Sequence, residues 1–354
     1  INVSVNNSTN GAIYINGLAW TGTSSANHTN FVNSGNITYT GKAQANAFIS
    51  GMVYTPSGVL KNCQNKGTIT ANVNGLACPL KIGGFVRSSS TATYDGCVNS
   101  GDIVFKGTST SAVYIGGLCG DVNGACKFTG AGFVNKGAIK FLGTTTSTGY
   151  AGGIAGAATV SIGETAVLKN EGTVTNYDAT ASLTGSAATV RWGGCFGSVS
   201  SKPQSVKMVN TGDVYVRYSE KMGADVTIGG VAGGSSQVIS NATICGDVAA
   251  IGFTESKASP IVGVGMVVGT HRSTTAPQVS NCVIGGRLAL EEMGGKPLYR
   301  TISKVEISVD DPNGDKEPDP NFIPYWEKIY GGTTEWELGS TYDGCTPDPS
   351  APSE

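Results

Sequence analysis

The sequence predicts an all-β protein, a right-handed parallel β-helix of about eight or nine rungs with roughly three strands per rung and a C-terminal cap. Three observations predict it. A glycine motif recurs about every 35 residues, a second motif follows each copy in phase, and short segments rich in β-branched and aromatic residues lie between them. No segment before residue 290 keeps a helical hydrophobic period over a dozen residues.

The first motif is a glycine, usually doubled and flanked by apolar residues. Glycine at a fixed place in each repeat indicates a turn or a close approach of two backbones. The motif does not form a nucleotide-binding glycine pattern, so a nucleotide site is excluded. The second glycine of each copy is expected at Gly17, Gly51, Gly84, Gly117, Gly153, Gly194, Gly230 and Gly265.

The second motif reads Asn-x-Gly-x-aliphatic. Its asparagine suits a turn, because asparagine bonds the nearby main chain, and stacked asparagines can form an amide ladder. The alternative is a row of asparagines that lines a sugar-binding face. The structural asparagines are Asn33, Asn65, Asn99, Asn135, Asn170 and Asn210. The aliphatic residues that follow should form one inward column: Ile37, Ile69, Ile103, Ile139, Val174, Val214, Val248 and Leu288.

A unit of about 35 residues with short strands fits one turn of a solenoid, in which rungs stack about 4.8 Å apart. The alternative is a β-propeller, whose blades have four strands in units of about 40–45 residues. The nine cysteines include no Cys-x-x-Cys pair, so most are expected to be buried thiols.

Charge divides the chain into a predicted repeat domain, residues 1–300, and an acidic linker with a capping segment, residues 301–354. Residues 1–290 carry 18 Lys and Arg against 11 Asp and Glu, whereas residues 291–354 carry 5 against 14. The basic charge of the body is too dilute for a nucleic-acid-binding protein. We expect the acidic tail to pack on the more basic body.

The tail repeats a block of the body. Tyr342-Asp343-Gly344-Cys345 matches Tyr94-Asp95-Gly96-Cys97, and each block follows a double glycine at the same spacing. The tail is therefore expected to form a degenerate last rung, or a strand pair that caps the open sheet edges.

Aromatic residues crowd the same tail, where they could stack on sugar rings or seal the core. These candidate ligand-binding residues are Tyr325, Trp326, Tyr330, Trp336 and Tyr342. Asp311, Asn313 and Asp315 alternate like calcium ligands, but Lys316 stands where that loop needs glycine. We therefore expect no metal and no cofactor.

Catalytic patterns are sparse. Asp213 and Asp247 would lie one rung apart, a separation that suits a retaining glycosidase pair. There are only two histidines, and no serine nucleophile elbow occurs. No apolar run is long enough to cross a membrane. The sequence therefore predicts a protein that is not an enzyme and has no transmembrane segment.

The pattern Gly116-Gly117-Leu118-x-Gly120, followed by Asn-x-Gly-x-Ile, resembles the Gly-Leu-rich repeats of bacterial surface proteins such as adhesins and surface peptidases. The closing segment from Tyr325 to Trp336 resembles the C-terminus of surface lipoproteins of Bacteroides-type bacteria. The resemblance implies a protein on the cell surface, outside the outer membrane, that is lipid-anchored or secreted.

Three functions follow as expectations. The first is a non-enzymatic adhesin or glycan-binding solenoid, with glycans or host surface proteins as partners. The alternative is an accessory surface lipoprotein subunit that docks on an outer-membrane β-barrel complex for nutrient uptake or assembly. The third is a polysaccharide lyase or hydrolase, which would need converging carboxylates in a groove.

Overall fold

The structure is a computed structural model, and its described part is entirely β. It describes residues 1–5, 12–18, 27–42, 46–53, 58–89, 91–124, 126–159, 166–177, 189–200, 207–217, 226–237, 239–252, 262–271, 279–280, 282–289, 292–293, 296–297 and 336–338. None of these residues lies in a helix, so the described chain contains no helix that could span a membrane.

Four sheets run along the molecule, and each turn of chain visits them in the same order. Sheet 1 contains Asn2–Val5, Ile37–Gly41, Ile69–Leu76, Ile103–Ser109, Ile139–Phe141, Thr144–Thr145, Val174–Thr175, Val214–Arg217, Val248–Ile251 and Leu288–Ala289. Sheet 2 contains Ile13–Asn16, Ala47–Ser50, Leu80–Gly83, Val113–Gly116, Gly149–Gly152, Val190–Gly193, Val226–Gly229 and Val262–Gly265.

The other two sheets complete the turn. Sheet 3 contains Val86–Ser89, Cys119–Val122, Ala155–Ala158, Phe196–Val199, Ala232–Ser235 and Val268–His271. Sheet 4 contains His28–Thr29, Val32–Asn33, Val59–Lys61, Gln64–Asn65, Thr93–Asn99, Lys127–Asn135, Val167–Asn170, Lys207–Asn210, Ala242–Ile244, Cys282–Ile284 and Trp336–Leu338. Two short pairs lie outside the sheets: Ile239–Ser240 with Val279–Ser280, and Glu292–Met293 with Lys296–Pro297.

Strands of successive turns pair in parallel throughout the four sheets, which confirms a β-solenoid and excludes a propeller. Within the described residues, six complete turns contribute to all four sheets, because six strands of sheet 3 are described. The predicted eight or nine rungs are therefore too many for complete turns; the flanking turns contribute to some sheets only. A complete turn has four strands, one more than predicted, because a short corner divides sheet 2 from sheet 3. The right-handed sense stays a prediction.

The core consists of columns of side chains that come from equivalent positions of successive turns. The predicted aliphatic column is confirmed: Ile69 pairs with Ile103, which pairs with Ile139, and all eight members are buried. Each such side chain contributes about 1.5–3 kcal/mol on burial. The seven described free cysteines are also buried.

The register corrects one glycine. Gly229 pairs with Gly265, so Met266, not Gly265, stands in the place of the second glycine in that turn. In the tail, Trp336 pairs with Cys282 in sheet 4, and the repeated block at Tyr342–Cys345 lies outside the described residues.

The asparagines form a continuous ladder of side-chain amides inside the solenoid. Asn65 Nδ2 donates to Asn99 Oδ1 at 2.7 Å, and Asn99 Nδ2 donates to Asn135 Oδ1 at the same distance. The same bond joins all six asparagines from Asn33 to Asn210. Each buried Nδ2 also donates to the carbonyl of the glycine two residues later, as Asn135 does to Gly137 at 2.8 Å. The ladder therefore satisfies polar groups that would otherwise cost stability in the core.

The second glycine of the first motif faces this ladder, which explains why the two motifs recur together. A Cβ atom on Gly84 would lie 2.5 Å from the Asn99 side chain, and one on Gly117 would collide with Asn135. In the turn where Ile244 stands in place of the asparagine, the facing residue is Gly230. A Cβ atom on Gly230 would lie 2.9 Å from the Ile244 side chain. The glycine thus makes room for the buried side chain.

We expect Asn135→Ala to lower the free energy of unfolding by about 2–4 kcal/mol, since it removes the buried hydrogen bonds with the Asn99 and Asn170 side chains and the one to the Gly137 carbonyl. Chemical denaturation measures the loss. Asn33→Ala, at the partly exposed start of the ladder, is the matched control and should cost about 1 kcal/mol. If both variants lost the same free energy of unfolding, the buried part of the ladder would contribute no more to stability than its partly exposed start.

Gly137→Ala should destabilise the protein by about 2 kcal/mol or more, because the added Cβ would collide with the carbonyl of Gly101 in the preceding turn. Gly35→Ala places the same atom in the first turn, where the nearest contact is Asn33 Oδ1 at 3.7 Å. Thermal denaturation should find Gly35→Ala close to wild type, and a comparable loss in both variants would contradict the stacking argument.

Candidate functional site

The candidate site is a groove on the outer surface, at the corner between sheet 2 and sheet 3. Along each strand of sheet 2 the side chains alternate, so that Ile115 packs in the core and Tyr114 points outward. Register pairing stacks the outward residues in one column: Tyr14, Phe48, Lys81, Tyr114, Tyr150, Arg191 and Thr227.

Glycines in sheet 3 form the corner against which this column lies. A Cβ atom on Gly120 would lie 2.9 Å from Lys81 Cβ, and one on Gly197 the same distance from Tyr150 Cβ. The absence of side chains there brings the backbone of sheet 3 against the outward side chains of sheet 2. The resulting groove has a volume of about 440 Å³ and receives residues from five successive turns.

Two tyrosines form the centre of the groove. The rings of Tyr114 and Tyr150 lie 5.5 Å apart between centroids and are tilted by 57°. Cations flank them: Lys81 Nζ lies 5.9 Å from the Tyr114 ring centroid, and Arg191 Cζ lies 5.1 Å from that of Tyr150. The arrangement fixes two ring surfaces in a partly buried groove.

A largely buried ion pair bridges the two sheets at one end. Lys81 Nζ contacts Asp121 Oδ2 at 2.7 Å, and the side chain of Asp121 is 9% exposed. The second oxygen, Asp121 Oδ1, is buried and accepts no hydrogen bond within the described residues. Because an unsatisfied buried carboxylate oxygen is costly, this atom offers an acceptor for a ligand hydroxyl or an ordered water.

Arg191 lies three turns further along the groove than Lys81. Its Nη1 donates to Ser198 Oγ at 2.7 Å, across the corner from sheet 2 to sheet 3. A Cβ atom on Gly234 would lie 2.8 Å from the same Nη1, so the guanidinium lies against the backbone of the next turn. Arg191 is 6% exposed and is held in one orientation between Tyr150 and sheet 3.

The pKa of the Tyr114 phenol is raised, first by burial and then by the proximity of Tyr150 and Asp121. Tyr114 therefore remains protonated at neutral pH, when it can donate a hydrogen bond. A phenol with a raised pKa is a poor general base, which disfavours a lyase reaction at this tyrosine.

The tail residues named from the sequence are not part of this groove as described. Trp336 lies in the strand Trp336–Leu338, next to Cys282–Ile284 in sheet 4. Tyr325, Trp326, Tyr330 and Tyr342 lie outside the described residues, as do Asp311, Asn313 and Asp315. Their proposed binding role stays a prediction.

Asp213 and Asp247 have structural partners. Asp213 Oδ1 accepts a hydrogen bond from the Asp247 backbone N–H at 2.9 Å, and Asp247 binds Arg287 through a contact of 2.6 Å. Asn36 and Asp102 occupy the same position and likewise accept from the backbone of the following turn. These carboxylates therefore connect turns, which disfavours the glycosidase pair.

Among the residues with described positions, no three His, Cys, Asp or Glu side chains come together as a group that could hold a metal ion.

The sequence did contain a signal for the groove. Its column lies three residues before the second glycine of each repeat, at Tyr14, Phe48, Lys81, Tyr114, Tyr150 and Arg191. Aromatic and basic residues at a constant offset from the glycine indicate an outward column of stacked side chains. Only the sharp corner at sheet 3 makes that column one wall of a groove.

No family model matches the chain, and neither the curated proteins nor the solved structures contain a match. The groove itself therefore carries the functional argument.

We expect Lys81→Met to lower the free energy of unfolding by about 3 kcal/mol, because it leaves the Asp121 carboxylate buried without its cation. Lys140→Met is the matched control: Lys140 contacts Asp102 at 2.9 Å, but both side chains are about one-third exposed. Lys140→Met should lower the free energy of unfolding by less than about 1 kcal/mol. Urea denaturation of both variants tests the contrast, and similar losses would show that Lys81 and Asp121 are effectively solvated.

Proposed function

We propose that this protein is a non-enzymatic surface protein that binds glycans, an adhesin or glycan-binding solenoid, and that the groove is its binding site. One observation carries the proposal: the tyrosine pair 114 and 150 lies in a groove whose remaining wall offers hydroxyls and a carboxylate oxygen. Aromatic rings take the apolar faces of sugar rings, and the polar groups bind the sugar hydroxyls.

Catalysis has less support than binding. Asp121 is the one carboxylate among the described groove-lining residues, and Lys81 already occupies one of its oxygens. Hydrolysis of a glycosidic bond generally needs two carboxyl groups at opposite sides of the bond. We therefore propose that the groove holds a glycan without cleaving it.

The location on the cell surface is part of the same proposal. It rests on the resemblance of the Gly-Gly-Leu-x-Gly repeats to those of bacterial surface proteins. A rod of stacked turns with a binding groove along one corner suits such a location. The groove lies along the side of the rod, so it stays accessible when either end is attached to a surface.

We expect purified protein to bind a subset of glycans on an array, and Tyr150→Ala to weaken binding of the best ligand about tenfold or more in calorimetry. The loss follows from removal of one stacking surface. The ligand recovered after prolonged incubation should have its original chain length.

Tyr215→Ala is the matched control for this experiment. Tyr215 also pairs with a tyrosine and an arginine, with its ring 5.7 Å from Tyr177 and 5.8 Å from Arg217 Cζ, but it lies on sheet 1 and outside the groove. Affinity should remain that of wild type. The proposal would be wrong if the wild-type protein bound no glycan, or if Tyr150→Ala and Tyr215→Ala lost affinity equally. Cleavage of the ligand would show that the protein is an enzyme.

A further inference from the structure

We propose that Cys63 and Cys97 form a redox pair, which a small-molecule disulfide such as oxidised glutathione converts into a disulfide bond between neighbouring turns of the solenoid. In the structure both residues are free thiols. The proposal does not depend on glycan binding. It rests on the register of the two turns, on the contacts of the two sulfur atoms and on the short pairing that covers Cys63.

The register places the two cysteines side by side. Val98 pairs with Gln64, and the Val98 N–H donates to the carbonyl of Cys63 at 3.0 Å. The residue before Val98, Cys97, therefore lies opposite Cys63, and both side chains are fully buried in the core. Neighbouring strands lie about 4.8 Å apart, which falls within the range of about 4.4–6.8 Å between the Cα atoms of a disulfide.

The two thiols are not equivalent. A hydrogen bond from Cys97 lowers the pKa of the Cys63 thiol, and the backbone N–H groups of Phe31 and Asn30 lower it further, although burial opposes the effect. The hydrogen bond to Cys63 and burial both raise the pKa of Cys97. Because the thiolate is the nucleophile in disulfide exchange, Cys63 is the attacking thiol and Cys97 is the resolving thiol.

A short stretch of pairing covers Cys63. Its sulfur lies 3.4 Å from a carbonyl oxygen of the first described turn. In sheet 4 that turn pairs with the next through two strands of only two residues each, His28–Thr29 and Val32–Asn33, and the side chains of Phe31 and Val32 are 40% and 50% exposed. Such a short edge pairing opens at low cost in free energy, so a small disulfide reaches Cys63 first.

The exchange has two steps. The Cys63 thiolate attacks one sulfur of oxidised glutathione, the glutathione S–S bond breaks, and one glutathione leaves as a thiolate that takes up the proton lost by Cys63. The Cys97 thiol then loses its proton and its sulfur attacks Cys63 Sγ, which releases the second glutathione as a thiolate that takes up that proton. The two protein thiols lose two electrons in total, and one glutathione disulfide is reduced to two thiols.

The test exposes the reduced, folded protein to glutathione buffers with increasing proportions of the oxidised form. Free thiols are then alkylated, and the protein is digested with trypsin for mass spectrometry. Trypsin leaves Cys63 in the peptide 62–66 and Cys97 in the peptide 88–106. The main oxidised product should be these two peptides joined, without alkyl groups and two hydrogen atoms lighter than their sum. A reductant should separate them.

Three variants assign the roles. In Cys97→Ala the reaction should stop at the mixed disulfide of Cys63 with glutathione, whereas Cys63→Ala should leave Cys97 unmodified. Cys195→Ala is the matched control, because Cys195 is another fully buried thiol, but its neighbours in the adjacent turns are Ile154 and Val231. This control should form the cross-linked peptide in the same yield as wild type.

The outcomes decide the pair and the order separately. Absence of the cross-linked peptide from the folded wild-type protein, or its formation only in denaturant, would overturn the redox pair. Glutathione attached to Cys97 in Cys63→Ala would overturn the assigned order of attack. Circular dichroism checks that each variant folds, and if Cys97→Ala does not fold, the peptide map of the wild-type protein still decides whether the pair forms.

Discussion

The contact between the buried asparagine ladder and the glycines that face it is the constraint on which the rest of the solenoid depends. Each amide bonds the one in the next turn, so the ladder sets the phase of successive turns as well as their spacing. The ladder fits only because residues such as Gly84 and Gly117 lack side chains. The inward columns and the sheets follow from that phase, because one slipped residue would turn a core side chain outward.

The groove is a consequence of the same phase on the outer surface. Once the ladder aligns the turns, the residue three positions before each facing glycine falls in one outward column, and residues such as Tyr114 and Tyr150 become neighbours. The corner glycines of sheet 3 then bring a second wall close enough for Lys81 to reach Asp121. The groove thus needs few dedicated residues, since the repeat supplies its geometry.

Repetition made the fold predictable, whereas the site depends on packing that repetition does not reveal. The aliphatic column from Ile37 to Leu288 followed from spacing alone, because equivalent positions in a solenoid must stack. The sequence places Gly265 one residue out of register, since a single glycine cannot show which member of the doubled pair it represents. The sequence does not predict the groove, because the contact between Lys81 and Asp121 depends on the angle of a corner, and no pattern in one sequence encodes that angle.

The ladder and the groove are built from the same repeat, so the number of outward residues along the groove increases with the number of turns in the rod. Duplication of a whole repeat would add one asparagine inside and one outward residue outside, in register with their neighbours. Segments between the sheets can differ in length, as the intervals between successive asparagines already do, from Asn33–Asn65 to Asn170–Asn210. Such a protein can lengthen its outer surface by gene duplication without redesign of its core, and point mutations can then change the outward residues of each added turn independently.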